Sequence, residues 1–162
     1  MQKKQTFLAN LIVLGIICFA AASCNGDFIY KKNIKIPGGA WTYEDVLKFD
    51  FPIEDTSLTY NLMLDVEHAG DYGFQNLYVK FHTKFPSGEV KTQMVSLELA
   101  AKSGIWNGKC SGNSCTVEIP LQTNAVFKEI GEHQISVEQF MRKNPLPGVE
   151  GMTLKISPAG KR

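Results

Sequence analysis

The chain contains 162 residues, with 17 Lys and Arg against 16 Asp and Glu, and its formal net charge is +1 at pH 7. This near-neutral balance argues against an electrostatic grip on nucleic acid or on an acidic membrane surface. The length fits a single domain that can bury a real core without a structural metal or a dense disulfide framework.

The start of the chain has the order of a secretory signal peptide. Lys3 and Lys4 form a short basic segment, residues 7–22 are almost wholly apolar, and small residues lead into Cys24. This apolar run of 16 residues is shorter than the roughly 20 that a transmembrane helix needs. Small residues directly before a cysteine resemble the lipobox of bacterial lipoproteins, in which the cysteine sulfur carries diacylglycerol. We predict a signal peptide over residues 1–23 and lipidation of Cys24, with ordinary signal cleavage as the alternative.

The remainder of the chain is predicted to form one domain. Residues 24–36 are assigned to the lipidated cysteine and a tether, and residues 37–162 to the folded domain. No internal repeat, low-complexity tract or interdomain linker divides these residues, so a single domain is the simplest interpretation.

Apolar residues alternate with polar neighbours in a series of short segments, which is the pattern of half-buried strands. Turn residues such as Pro86-Ser87-Gly88 separate the segments. Pro52 has no amide proton to donate, so its strand is predicted at a sheet edge. The alternating apolar residues are Phe49, Phe51, Ile53, Leu58, Tyr60, Leu62, Leu64, Val66, Leu77, Val79, Phe81, Val95, Leu97, Leu99, Val117, Ile119, Leu121, Ile135, Val137, Met152, Leu154 and Ile156.

These segments amount to about eight short strands, and no strongly helical window follows residue 24. Short strands at such spacings are typical of two packed antiparallel sheets. We therefore predict an all-β fold, a single antiparallel β-sandwich that is jelly-roll-like and follows the N-terminal signal peptide.

The cysteines indicate one disulfide. Cys18 leaves with the signal peptide and Cys24 is assigned to lipid, so Cys110 and Cys115 remain as an isolated pair. A secreted chain oxidises such a pair where the geometry allows, and the intervening residues include a Ser-Gly-Asn turn. A zinc site would need more ligands, and the nearest histidine is His133. The spacing also differs from the CxxC of redox-active pairs. A structural loop disulfide is the favoured interpretation.

The sequence contains no motif of a catalytic or nucleotide-binding site. His68, His82 and His133 lie on different predicted elements without paired ligand spacing, so we assign them as surface or cross-strand residues. We predict no metal site, no cofactor and no catalytic residue.

Carboxylates and aromatic residues leave two alternatives open. Asp50, Glu54, Asp55, Asp65 and Glu67 could supply a carboxylate pair for glycoside hydrolysis. Acids at alternating strand positions are commonplace, however, and Asp55 is better explained as a turn residue.

Three aromatic residues are candidate contacts for a partner or a glycan, because an aromatic face can stack on a pyranose. They are Trp41, Tyr43 and Trp106. The favoured alternative is that they cap the ends of the core.

Several short motifs are distributed along nearly the whole chain. They are Cys24, Trp41, the Phe-x-Phe-x-Ile-x-Asp of Phe49 to Asp55, Tyr60-Asn61-Leu62, Tyr72, Asn76-Leu77, the turn from Gly104 through Trp106 to Gly108, Phe127, Gly131 and Met141-Arg142. In this order and spacing the chain resembles the GldH family of gliding-motility lipoproteins. The resemblance implies an accessory cell-envelope lipoprotein needed for surface gliding, which works with the type IX secretion apparatus. It carries over no catalytic residue.

Together these inferences predict a non-enzymatic, lipid-anchored sandwich that serves the gliding and secretion machinery through protein contacts. The main alternative is a carbohydrate-binding module for peptidoglycan or surface polysaccharide, and a carboxylate-dependent hydrolase is a third. Residues 25–28 lack the acidic run that marks surface-exposed lipoproteins of these bacteria. The missing acidic run predicts that the domain faces the periplasm, and we expect the anchor to lie in the outer membrane.

Overall fold

The computed structural model describes residues 28–161. The predicted signal peptide and Cys24 lie outside this range. Within it, the chain forms antiparallel strands and a single 3₁₀ turn, Pro37–Gly39. The strands are β1 (Tyr30–Lys35), β2 (Ala40–Trp41), β3 (Leu47–Ile53), β4 (Leu58–Ala69), β5 (Asn76–Lys84), β6 (Val90–Glu98), β7 (Lys109–Ser111), β8 (Ser114–Val126), β9 (Gly131–Gln139), β10 (Leu146–Pro147) and β11 (Val149–Lys161).

The strands form two main sheets with the topology of a jelly roll. One sheet has the order β1-β11-β4-β8-β7, the other has the order β3-β9-β5-β6, and β10 pairs with β2 in a small ladder. Eight strands of this region have six or more residues. Numbered among themselves, they run 1-8-3-6 in one sheet and 2-7-4-5 in the other, which is the order of an eight-stranded jelly roll. The predicted all-β sandwich is confirmed.

The core lies between the two sheets and is built from the predicted alternation. In β3, Leu47, Phe49, Phe51 and Ile53 are buried while the residues between them are exposed. Pro52 lies on the outer side of this strand, and β3 is an edge strand as predicted.

The first strand begins before the predicted domain boundary. Tyr30–Lys35 was assigned to the tether that ends at residue 36, but it pairs with β11 along its whole length, from Tyr30↔Ile156 to Lys35↔Gly151. The boundary at residue 37 is therefore wrong, and the reason is that Lys31, Lys32 and Lys35 hide the strand pattern of an edge strand whose inner face carries few apolar residues.

The outer face of the five-stranded sheet is polar and internally paired. Lys155 is buried between Asp65, whose Oδ1 lies 2.8 Å from Lys155 Nζ, and Glu118. Asn33 Nδ2 donates to Glu67 Oε1 and to Thr153 Oγ1, both at 2.7 Å. Most side chains of these strands on this face are polar, and Met63 and Pro120, which pair across β4 and β8, are apolar exceptions.

The two ends of the sandwich differ, and we name them for what they carry. The tether end holds the start of β1, the short loops 54–57, 85–89 and 127–130, and the end of β11. The loop end holds the longer segments 36–46, 70–75, 99–108 and 140–148 and the β7–β8 hairpin. The longer connecting segments are therefore concentrated at the loop end.

The β7–β8 hairpin carries the predicted disulfide. Cys110 and Cys115 face each other directly across the ladder and are bonded, with their Cα atoms 3.9 Å apart. Cys115 is buried, and Gly112 turns the chain at φ 60° between them. The prediction of a hairpin disulfide is confirmed.

Candidate interaction surface

Trp41 anchors the loop end to the core. It pairs with Leu146 across the β2–β10 ladder, and its side chain is 0% exposed. The indole Nε1–H donates to the Asp45 carbonyl O at 2.6 Å, which satisfies the one polar group of the side chain. Trp41 is a core residue, and in this fold it presents no surface to a glycan or a partner.

Tyr43 ties the β2–β3 loop to the segment that follows β9. Its hydroxyl donates to the Met141 carbonyl O at 2.7 Å, and its backbone N–H donates to Asn144 Oδ1 at 3.1 Å. The buried Gln139 holds the same segment from the end of β9: it accepts from the Met141 N–H at 2.9 Å and donates to the Lys143 carbonyl O at 3.2 Å. These hydrogen bonds hold the segment in one conformation.

An exposed apolar surface lies on the outer side of the four-stranded sheet near the loop end, and we call it the aromatic surface. Its side chains are 38–57% exposed, although they are large and apolar. Two clefts of about 570 and 650 Å³ open on it and share Phe140 as a wall. The aromatic surface consists of Tyr43, Phe74, Tyr78, Met94 and Phe140.

Basic side chains border this surface. The ammonium of Lys80 lies 4.1 Å from the centroid of the Phe140 ring, a cation–π geometry. Arg142 and Lys143 line the same clefts, and Glu138 is their one acidic side chain. Aromatic residues, Met and Arg are the types enriched in protein interfaces. The surface therefore has the composition of a binding surface on a structured base.

Trp106 folds back onto the sandwich at a second place on the loop end. Its Nε1–H donates to the Gly70 carbonyl O at 3.2 Å, and its ring centroid lies 4.4 Å from that of His68 and 6.5 Å from that of Tyr72. Burial raises the pKa of the Tyr72 phenol.

Two glycines allow this turn. Gly104 has a φ of +85°, and a Cβ at Gly108 would lie 2.1 Å from the Thr116 carbonyl O. The backbone therefore passes too close to β8 for any side chain at position 108.

The three aromatic residues singled out from sequence do not form one platform. Trp41 is buried, and within residues 28–161 Trp106 contacts the rings of His68 and Tyr72 rather than the ring of Tyr43. Tyr43 alone belongs to the aromatic surface.

Sequence reasoning missed the other members of that surface. The available signal was an aromatic or methionine side chain at an outward strand position, since Tyr78 alternates with Leu77 and Val79, and Met94 precedes Val95. Phe140 follows β9 in the same outward phase.

Two of the three histidines lie in the interior, contrary to the expectation of surface or cross-strand positions. His68 is fully buried in phase with Leu64 and Val66 of β4. His133 is buried as well, with its ring stacked on Phe51 at a centroid distance of 5.7 Å. Both imidazole rings pack against aromatic side chains in the core.

His82 is a cross-strand residue, as expected. It faces Thr92 in the β5–β6 ladder, and its Nδ1 lies 2.8 Å from Thr92 Oγ1. Among residues 28–161, no three His, Cys, Asp or Glu side chains are grouped so that they could hold a metal ion.

Four of the five carboxylates considered for hydrolysis, Asp50, Asp55, Asp65 and Glu67, have structural partners. Asp55 Oδ1 accepts from the Ser57 hydroxyl at 2.6 Å and from the Ser57 N–H at 2.8 Å. These bonds lower the pKa of Asp55 and confirm its assignment as a turn residue. Asp65 and Glu118 share Lys155 on an open sheet face, which is no cleft for a sugar.

The described part of the chain is therefore a single-domain β-sandwich of jelly-roll topology with a structured aromatic surface near one end. The profile of the GldH lipoprotein family matches residues 28–156, and the chain belongs to this family. Membership implies a lipid-anchored place in the cell envelope and a part in gliding motility. Residues 28–161 contain no helix long and apolar enough to cross a bilayer.

Two relatives are similar along most of their length. The gliding motility lipoprotein GldH of Flavobacterium johnsoniae is 28% identical over 142 residues, which cover 85% of this chain and 87% of the relative. The GldH homolog of Christiangramia forsetii is 26% identical over 141 residues, covering 87% of this chain and 85% of the relative.

Solved structures show more remote similarity. A carbohydrate-binding module specific for non-crystalline cellulose, CBM28, aligns with a TM-score of 0.39 and 9% identity, covering 87% of this chain and 78% of that one. A family GH115 4-O-methyl-α-glucuronidase aligns with a TM-score of 0.42 and 12% identity, covering 87% of this chain and 19% of the enzyme. Likenesses of this strength say nothing about ligand or activity.

Proposed function

We propose that this protein is a non-enzymatic accessory protein of the gliding and type IX secretion machinery and acts through protein contacts made by its aromatic surface. Acylation of Cys24 anchors it in the outer membrane, and the sandwich faces the periplasm. The observation that carries the proposal is the exposure of five large apolar side chains on one structured surface. Contiguous patches of this kind mark interaction sites.

The contrast between the two outer sheet faces supports this assignment. On the five-stranded sheet, polar side chains satisfy one another through Lys155, Asp65 and Asn33. On the four-stranded sheet, Tyr78 and Phe140 present ring surface to solvent. Exposing such rings has a cost in water, which covering them with a partner removes.

Charge substitutions on β6 test the proposal with a matched control. Met94 and Val90 both lie on the outer side of β6 and are 57% and 54% exposed. They are separated by about 13 Å along the strand, and only Met94 lines a cleft of the aromatic surface. Both substitutions to Lys should change the free energy of unfolding by about 0.5 kcal/mol or less, because the positions are on the surface.

Met94→Lys should abolish colony spreading and single-cell gliding while the protein stays abundant, folded and membrane-bound. Val90→Lys should glide like wild type. Normal gliding by both single variants, Met94→Lys and Phe140→Ser, would contradict the proposal.

Serine substitutions on the aromatic surface distinguish the carbohydrate-binding alternative. Purified protein should not bind peptidoglycan or envelope polysaccharide in sedimentation or calorimetric assays. Saturable binding that Phe140→Ser or Tyr78→Ser removes would support a carbohydrate-binding module instead, because aromatic rings are the stacking groups that such a ligand would use.

A further inference from the structure

The sheet holds the N-terminal segment in place from Ile29 onward, a position close in sequence to the predicted acylation site. The Ile29 N–H donates to the Ile156 carbonyl O at 2.9 Å, which extends the β1–β11 ladder by one residue beyond Tyr30. From residue 29 onward the chain is part of the sheet. Only five residue steps separate Cys24 from Ile29.

A comparison of lengths shows how little freedom this leaves. Five residues span at most about 17 Å when fully extended. Strand β4 has 12 residues and runs from one end of the sandwich to the other, a length of about 40 Å at the rise of a strand. A lipid on Cys24 therefore keeps the tether end beside the bilayer.

The tether end has apolar side chains at its tip. Phe28 and Ile29 are 39% and 43% exposed, and Ile130, at the turn into β9, is 65% exposed. Two hydrogen bonds hold the residue that precedes Ile130. Glu129 accepts from the Ser87 N–H at 2.8 Å and from the Ser87 hydroxyl at 3.0 Å, so the β8–β9 loop is fixed to the β5–β6 loop.

The charges around this tip are of both signs. Lys128 and Glu129 precede Ile130, and Asp55 in the 54–57 loop lies near Lys161 at the end of β11. Mixed charge gives no preference for an anionic surface. The tip is suited to a contact made by apolar side chains at the interface of a bilayer.

We propose that the tether end is a membrane-contact surface, in which Ile130, Phe28 and Ile29 enter the interfacial region of the bilayer that carries the anchor. This inference rests on the acylation of Cys24 in the proposed function. The contact adds a second attachment point to the short tether and holds the sandwich upright. The loop end and the aromatic surface then point away from the membrane, toward a partner.

Site-specific fluorescence quenching tests the orientation on the mature, acylated protein. With Cys24 acylated and Cys110 bonded to Cys115, single cysteines can be introduced and labelled selectively. The variants are Ile130→Cys at the tip, Ile105→Cys at the loop end, where residue 105 is 71% exposed, and Met94→Cys on the aromatic surface. Each is labelled with bimane and reconstituted in phosphatidylcholine vesicles with or without brominated acyl chains.

Brominated lipid should quench the label at position 130 by at least two-fold and leave the labels at positions 105 and 94 unchanged. Quenching at position 94 but not at 130 would show that the sandwich lies on its aromatic surface and would overturn the inference. The inference would also be overturned if brominated lipid quenched none of the three labels.

Vesicle flotation separates this failure from failure of the anchor. If the acylated protein floats with vesicles and Cys24→Ser does not, the anchor stands whatever the quenching shows. If wild type neither floats nor incorporates labelled fatty acid, both the acylation and the orientation that rests on it are wrong.

Discussion

Truncation of Trp106 probes how the loop end is attached to the sandwich. The half-buried indole contacts His68 and donates to the Gly70 carbonyl O. Fully buried Trp or Phe residues cost about 3–5 kcal/mol on truncation to Ala, and half of that burial accounts for about 2 kcal/mol. Loss of the hydrogen bond adds about 1 kcal/mol. Trp106→Ala should therefore lower the free energy of unfolding by about 3 kcal/mol.

A conservative variant divides this loss into its parts. Trp106→Phe keeps a ring against His68 but removes the donor to Gly70, so it should cost about 1 kcal/mol. For a folded region of about 130 residues, the loss of about 3 kcal/mol expected for Trp106→Ala corresponds to a decrease of about 10 °C in Tm.

Chemical and thermal unfolding followed by circular dichroism measure both values. A Trp106→Ala protein within about 0.5 kcal/mol of wild type would refute the packing argument. Loss of glycan binding without loss of stability would reassign Trp106 from packing to a ligand site.

Three further predictions concern the rest of the fold. Replacing Cys110 and Cys115 together by Ala should cost about 2 kcal/mol because the closed loop is short, and an unchanged denaturation midpoint would contradict this. Lys155→Met should cost about 2 kcal/mol by leaving Asp65 and Glu118 unpaired, whereas Lys35→Met, at an exposed pair with Glu67, should cost about 0.5 kcal/mol or less; equal losses would contradict the role of burial. Asp55→Ala should flatten the acid limb of the stability curve, and an acid limb identical to that of wild type would contradict the turn assignment.

The signs of the two pH effects follow from the directions of the pKa shifts. The pKa of Asp55 is lowered by the Ser57 hydrogen bonds from its ordinary 3.8, so its contribution is complete above that value and is lost as the pH falls through the folded pKa. For Lys155, burial disfavours the charge, but the hydrogen bonds to Asp65 and Glu118 outweigh burial and raise the pKa above 10.5. Its contribution is complete below 10.5 and is lost as the pH rises through the folded pKa.

The strands were predictable because their period of two is a local property. Each half-buried strand shows its apolar face in its own residues, and Pro52 marked its strand as an edge for a chemical reason within the same segment. His68 could have been placed inside by the same logic, since it continues the phase of Leu64 and Val66. Its polarity outweighed its phase in the sequence interpretation.

The remaining features depend on contacts between distant segments. Strand β1 is an edge strand rich in lysine and is recognisable only through its pairing with β11. The β2–β10 ladder has two residues on each side, too few for a periodic signal. The aromatic surface combines Tyr43, Phe74 and Phe140 from separate loops, which only the folded chain brings together.

The central claim is that this protein works by binding a partner through its aromatic surface. Photo-crosslinking in gliding cells tests it directly, with a photoreactive amino acid placed at Tyr78 in one strain and at Val90 in another. Both positions are exposed on the same outer sheet face, but only Tyr78 belongs to the aromatic surface. Position 78 should yield a discrete adduct, identified by mass spectrometry as a component of the gliding or secretion apparatus, and position 90 should not. Adducts of equal yield at both positions, or none at 78 in cells that glide normally, would contradict the claim.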